Sequence, residues 1–413
     1  MSRIKTTFVA IMFATLPALA NAQCNVNGSG EVNVLSNFFD ALEILANTME
    51  ECERDDLKVD AKLTTTHQEE REVAFAASTS PYDLSAVANF SITSHQANGE
   101  LLPLNDLVEK YREEGQIEDQ MLIRFGDDIM AVAFMANAQV LFYRTDILEK
   151  HNLDVPTTWD EMFAAAEVLM NDDEIDYPYG AAFGGPGNWE RGNEFVNILF
   201  SNGGRLFDPE TSEAAFNSPE GIEALEIMGR LTQYMSPNAL SHDFGNVNQQ
   251  LSQGEIAMAI QWQNEAAGVE DPNESTVVGK IGLAPAPAAK DGGAPSSLFW
   301  WDGYVIPKNL DGDPEVAFQV MLHALRPEVV EQHNDVALWL RSNYQSNKFT
   351  KSVNDTIMLG APPFPMNPQS GLAHSAIGNN IGDFLAGKES AAQSLADAEA
   401  EYTKAARDAG YLN

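Results

Sequence analysis

Trp300, Trp301 and Asp302 stand side by side in the sequence. On a β-strand, adjacent side chains point to opposite faces, so the triplet sets one indole on each side of a sheet and a carboxylate beside one of them. An indole face can stack on the apolar side of a pyranose ring, and a carboxylate or planar amide can hydrogen-bond neighbouring hydroxyls. The triplet therefore suits a polyhydroxylated ligand, with core packing as the ordinary alternative for either tryptophan. Trp262 ends a second strand pattern and has the same two readings. Trp189 follows the glycine-rich residues 184–188, where a large indole has less reason to be core. Polar candidates are Asn37, with Phe38 beside it, after the first strand, His67 opening the second strand-to-helix loop, Asn89 ending the third strand, and Asn137 within a long apolar run. For Asn37 and Asn89 the plain alternative is a capping or turn role. Arg191 and Arg341 suit the carboxylate of an acidic sugar, or simple pairing with acidic neighbours. Trp159 lies in a helix-cap motif and reads as structural, while Trp339 stays ambiguous.

Catalytic and cofactor patterns are largely missing. No Gly-x-x-x-x-Gly-Lys-[Ser/Thr] loop is present to cradle ATP, and no Gly-x-Ser-x-Gly elbow. His67, His95, His151, His242, His323, His333 and His374 lack His-Glu-x-x-His spacing, so neither zinc nor another cofactor is expected. The acidic run 172–176 lacks the regular loop of a calcium hand and reads as a solvated turn.

The elements that must hold these residues follow from hydrophobic period. Strand patterns at 31–36, 57–63 and 84–88 alternate with helical patterns at 39–51 and 67–77. That β-α-β-α-β order predicts a parallel sheet covered by helices, with the loops at the strand C-termini open to a ligand. Residues 130–143 form an almost unbroken apolar run, the pattern of a long buried strand, in which Asn137 needs a partner from the protein or from a ligand. Thr158-Trp159-Asp160-Glu161 approximates a capping box. Helical patterns follow at 193–200, 219–235, 246–253 and 314–325, and strands at 257–262 and 300–306. The Ala-Pro run 284–295 is expected to be a surface loop.

Arg3 and Lys5 precede an apolar run, 8–20, that ends in Ala20-Asn21-Ala22. The run is shorter than the roughly 20 residues that span a bilayer, and small residues flank a cleavage point before Gln23. Residues 1–22 are thus expected to be a secretory signal peptide and the mature chain periplasmic. Cys24 and Cys52 then meet an oxidising compartment and are expected to pair. The rival is a lipid on Cys24, against which Gln23 stands where a small residue belongs. Residues 1–22 hold two of the 24 basic residues and none of the 61 acidic ones, so the chain without them carries a net charge of −39. Such a surface repels nucleic acid and anionic lipid, and reads as the solvated surface of a salt-adapted organism. About 390 mature residues suit two domains.

Several stretches resemble one family in its order along the chain. Residues 137–162, NAQVLFYRTDILEKHNLDVPTTWDEM, are similar to its buried strand leading to "D-l-f-e-k-x-g-l", a proline and "T-W-d-E". FVNILFSNGGRLFD at 195–208 resembles its "N-G-G-x-l-f-D", LSQGEIAMAIQW at 251–262 its "f-x-x-G-k-a-A-M" strand, and GYVIPKN at 303–309 its "g-x-x-I-P-K-n". These are motifs of the maltose-binding-protein-like extracellular solute-binding proteins, family 1, which serve carbohydrate ABC importers. Where many glucose-type members carry "HWW" after the first strand, Ser36-Asn37-Phe38 stands here.

The resemblance implies a type II periplasmic binding protein fold of two α/β lobes, each a sheet flanked by helices, with the ligand cleft between them. It implies crossings near 131–134, near 259–263 and around Pro314. The expected lobes are 23–132 with 263–315, and 133–262 with 316–413. It also implies capture of a sugar or polyol by hinge closure and delivery to the transmembrane subunits of an ABC permease, by a monomer that is not an enzyme. A chemoreceptor is a further partner compatible with the same fold. The rival from another class is an exported carbohydrate-active enzyme with paired carboxylates, needed at roughly 5 to 9.5 Å.

Overall fold

The computed structural model describes residues 24–412, so the expected signal peptide and its cleavage point before Gln23 lie outside the described residues. Three parallel strands open the fold: β1 (Gly30–Ser36), β2 (Leu57–Leu63) and β3 (Leu84–Ala88). Parallel neighbours need a crossover, and the helix Asp40–Glu50 supplies the one between β1 and β2. Asp40 and Glu43 sit in its first turn, where the helix dipole favours acids, and Leu42, Leu45 and Met49 line its buried face. The helix His67–Ala76 makes the second crossover. Cys24 and Cys52 are joined, with S–S 1.99 Å and Cα atoms 5.1 Å apart, tying the first described residues to the end of the helix Asp40–Glu50.

The spine of the molecule is β5 (Asp128–Arg144), which follows β4 (Leu122–Phe125) and spans both lobes. Its first half pairs with β4, with β9 (Phe299–Val305) and with β10 (Leu338–Trp339). Its second half pairs with β7 (Ile256–Trp262) and β8 (Ile281–Pro285), and β7 carries β6 (Tyr177–Gly180). The path across the sheet runs β2-β1-β3-β9-β5-β7-β6. Both faces of β5 are buried, which is why its sequence is continuously apolar rather than alternating. Leu45, Phe134, Tyr304 and Phe318 share a core on one face of the first lobe, and Phe75, Val87 and Trp301 pack on the other. The second lobe is likewise covered on two sides, by clusters around Phe163, Phe195 and Tyr402 and around Phe142, Leu251 and Val353.

Core membership among the described residues changes over at three places. The chain first crosses along β5 between Met135 and Val140, which belong to the cores of different lobes. It returns between Leu298, in the second core, and Trp301, in the first. The third lies at β10, where Leu338 packs in the second core and Trp339 in the first, and Val353 beyond it packs in the second. Two local facts bear on these changes. The Ala-Pro run is not all loop: Ala284 and Pro285 close β8 against β5, a strand end being a place that tolerates proline, and Ala286 and Ala288 are buried. The helix Pro314–Ala324 packs against the helix Asp40–Glu50, so the first lobe extends well beyond residue 315.

Candidate functional site

The register on β5 assembles the site. Trp300 on β9 stands opposite Asn137, and Trp262 at the end of β7 stands opposite Gln139 on the other flank of β5. Residues two apart on a strand share a face and directly opposed residues share it too, so both indoles emerge on one side of the sheet at the lobe junction. Trp189 opens the helix Trp189–Ser201, which packs over that side. The three rings meet: Trp189 and Trp300 at 5.7 Å, Trp262 and Trp300 at 5.7 Å, Trp189 and Trp262 at 6.4 Å.

Alternation sends Trp301 the other way, into the first-lobe core with Phe75, Val87 and Met130. Asp302 returns to the side of Trp300. A Cβ on Gly303 would lie 2.8 Å from the Cα of Ala133, so only glycine lets β9 approach β5 this closely and hold Asp302 in place. Burial pushes the Asp302 carboxyl up to about 7. Because β3 ends opposite Asp302, in the pair Ala88 with Asp302, the loops after the parallel strands reach the same edge. Asn89 is fully buried there; its Nδ2 donates to the Phe299 carbonyl at 3.3 Å, and its Oδ1 has no protein partner. Asn137 finds its partner in the protein, donating to Asn264 Oδ1 at 2.6 Å.

The remaining candidates are placed less centrally. Asn37 accepts from the backbone N–H of Phe38 at 2.8 Å, and the Phe38 ring is exposed at the end of β1. His67 opens the helix after β2, and burial, with Arg71 nearby, holds its imidazole down to about 3. Arg341 is engaged with the protein itself. Its guanidinium is buried and donates to the carbonyls of Leu325, Gln116 (2.8 Å) and Gly115 (3.0 Å), which makes it a clamp inside the first lobe. Arg191 likewise donates to the carbonyls of Phe183 and Gly378. Trp159 Nε1 donates to Ser296 Oγ at 2.9 Å and Trp339 Nε1 to the His333 carbonyl at 2.8 Å, both structural contacts.

The family model for bacterial extracellular solute-binding protein matches residues 52–330. The chain belongs to that family. This solute-binding protein is 29% identical over 188 residues to a probable ABC transporter-binding protein of Deinococcus radiodurans, covering 43% of each chain. It is 25% identical over 227 residues to a mannitol-binding protein of Pseudomonas aeruginosa, covering 53% of this chain and 51% of that one. The chain thus spans about half the length of the curated relatives it matches. Among solved structures, an ABC transporter solute-binding protein from Agrobacterium radiobacter K84 in complex with ribitol superposes with a TM-score of 0.80 at 23% identity, over 91% of this chain and 98% of that one. That likeness shows the two-lobed fold.

Other residues of this solute-binding protein reach the same place without having been legible as site residues. Phe364 lies 4.4 Å from Trp300, Phe244 lies 5.9 Å from Trp262, and His374 lies 5.1 Å from Trp189. They arrive on elements remote in sequence, and a lone aromatic in a helix carries no signal that separates core from cleft. Behind the rings lies a buried polar network. Gln139 donates to Glu194 at 2.6 Å and accepts from Asn193 (2.9 Å) and Asn197, whose own Oδ1 accepts from the Leu298 N–H at 3.0 Å. Burial pushes Glu194 up to about 8 and Glu190 up to about 7, so both carboxyls sit within reach of neutral pH. Trp189 Nε1, Trp300 Nε1, Gln263 Oε1 and both ring nitrogens of His374 are buried without a protein partner. Buried polar atoms are as a rule hydrogen-bonded, so several unpartnered donors and acceptors around one ring cluster mark a place suited to a hydroxyl-rich molecule.

Proposed function

We propose that this chain is the ligand-capturing subunit of an ABC importer, secreted by way of residues 1–22, and that its ligand is a sugar or polyol. The observation that carries the reading is the convergence of Trp189, Trp262 and Trp300, from three separate elements, at the lobe junction beside Asp302 and unpartnered buried polar atoms. Indole rings supply apolar walls, and the Asp302 carboxyl, Asn89 Oδ1 and Gln263 Oε1 supply hydrogen-bonding groups for hydroxyls. The mannitol and ribitol of the similar proteins support a polyhydroxylated ligand.

Capture works by closure. A ligand bound on one lobe favours the closed state to the extent that it gains contacts with the other lobe. A membrane permease would then recognise the closed form, and a chemoreceptor would find the same surface. The protein binds its ligand without converting it. Isothermal titration of the mature chain with pentitols, hexitols, hexoses and maltose, alongside solution scattering, tests this. Saturable heat with at least one compound, and no products from it after prolonged incubation, is expected. Silence across the panel with an unchanged scattering envelope would remove the binding reading, and release of hydrolysed glycoside would favour an enzyme.

A further inference from the structure

Phe90 belongs to the first lobe by sequence and to the second by contact. It is the second residue of the helix Asn89–Ala97, which starts where β3 ends. Ile92, Thr93 and His95 of that helix are buried, and Ile92 joins the first-lobe core with Trp301. Phe90 instead packs against the large core cluster of the second lobe. Its ring centroid lies 5.1 Å from His374, 5.5 Å from Phe364, 6.0 Å from Trp189 and 6.2 Å from Trp300. Gly371, one turn before His374 on the helix Pro368–Asn380, faces the tip of the Phe90 ring, which a Cβ there would meet in ordinary contact at 3.8 Å.

His374 makes this contact informative. Its imidazole is fully buried, neither ring nitrogen has a partner, and Phe90, Phe364 and Trp189 surround it with rings. A neutral imidazole offers one donor and one acceptor. The Phe90 ring meets the imidazole at 70°, while the Nε2 edge faces the helix Trp189–Ser201, where a Cβ on Gly192 would lie 3.2 Å from it.

We propose that Phe90 is a specificity-determining residue that plugs a second subsite lined by His374, Phe364 and Trp189, and so restricts the ligand to a single small polyhydroxylated unit. The proposal rests on the reading of the tryptophan cluster as the ligand site. A ligand of two or more sugar units has to evict the ring, whereas a pentitol, hexitol or monosaccharide fits without doing so. With the ring removed, a second unit reaches the imidazole of His374 from the side that Phe90 covers.

The test is calorimetric titration of wild type, Phe90→Ala and the double variant Phe90→Ala/His374→Ala with ribitol, mannitol, maltose and maltotriose. Relative to wild type, Phe90→Ala is expected to raise the maltose-to-mannitol ratio of association constants by about tenfold or more, the discrimination one added or removed group gives in a pocket. The double variant is expected to lose most of that gain. Should Phe90→Ala not fold, Phe90→Val carries the same comparison. An unchanged ratio, or a wild type that already binds maltotriose as tightly as mannitol, overturns the proposal. Wild type that binds none of the four compounds defeats the small-polyol reading by itself. In that case Phe90→Ala decides the plug: binding of maltose supports it, and continued silence overturns it.

Discussion

Trp262 and Trp300 meet with ring centroids 5.7 Å apart and planes at 87°, although one ends β7 and the other lies near the start of β9, on opposite flanks of β5. The two-residue spacing of Asn137 and Gln139 on the shared spine brings them together. The sheet register therefore sets this pair of rings, and it lies where the chain passes from one lobe to the other.

Trp262 keeps partial exposure while Trp300 is almost fully buried, so substituting them should separate binding from stability. Trp262→Ala is expected to lower ligand affinity by about 2 kcal/mol, roughly thirtyfold, with a small change in melting temperature. Trp300→Ala is expected to cost about 3–5 kcal/mol of stability as well. Titration calorimetry and denaturant melts on the same preparations check both.

Arg341 offers the opposite contrast. Its truncation leaves the carbonyls of Leu325, Gln116 and Gly115 without their donor; that of buried Leu325 stays unsatisfied, at about 1–3 kcal/mol, while exposed Gln116 can turn to water. Arg341→Ala should therefore lower unfolding free energy by roughly 1–3 kcal/mol and leave ligand affinity within about twofold. A large affinity loss at unchanged stability would instead place Arg341 at the ligand.

Stability should fall as pH rises from about 5 to 8. Burial holds Glu194 up to about 8 and Glu190 and Asp302 up to about 7; burial, with Asp40 nearby, does the same for Glu265. A carboxyl whose folded pKa is raised keeps its proton while the unfolded chain has lost it, so stability drops until the pH passes the folded value. Below about 6.5 the histidines oppose this trend. Burial holds His67 and His374 down to about 3, and the unfolded chain takes up protons that these rings refuse. Asp172, held down to about 2 by Lys150 and His151 against the effect of burial, acts only in stronger acid. Melting temperatures across pH 5 to 9 are expected to be highest at the acid end and to fall until about pH 8, and Glu194→Gln to make that fall shallower. A melting temperature that rises steadily to pH 8.5 would contradict this assignment.

The Cys24–Cys52 disulfide closes a loop of sequence separation 28 in the first lobe, far from the ring cluster by chain and by core. Chain entropy puts its contribution at about 3 kcal/mol. Paired Cys24→Ser/Cys52→Ser substitution should show that loss in a denaturant melt, with affinity unchanged.

Much of the fold was legible because local pattern and burial agree. The strand expected at 57–63 is β2, the one expected at 84–88 is β3, and the helix expected at 314–325 is Pro314–Ala324. Thr158 caps its helix as its sequence suggests, accepting from the Glu161 N–H. β8 was hidden because proline and alanine carry little strand signal, and only its partner β5 makes it a strand. The site was half legible. Two adjacent tryptophans with opposite destinies follow from the pleat alone, whereas Phe90 and His374 meet across 284 residues and through two lobes, a proximity no local spacing encodes. Arg341 sits beside the acidic Glu118, 4.0 Å away, but its hydrogen bonds to backbone carbonyls carry no sequence signal.

Whether the ring cluster holds one small polyhydroxylated molecule, as proposed, is open to direct measurement. Native mass spectrometry of the mature chain mixed with an equimolar pool of pentitols, hexitols, hexoses and disaccharides tests it most directly. A single one-to-one adduct of a pentitol, hexitol or hexose, lost in Trp262→Ala, is the expected spectrum. Bare protein across the pool, or an adduct that Trp262→Ala retains at full intensity, would contradict it.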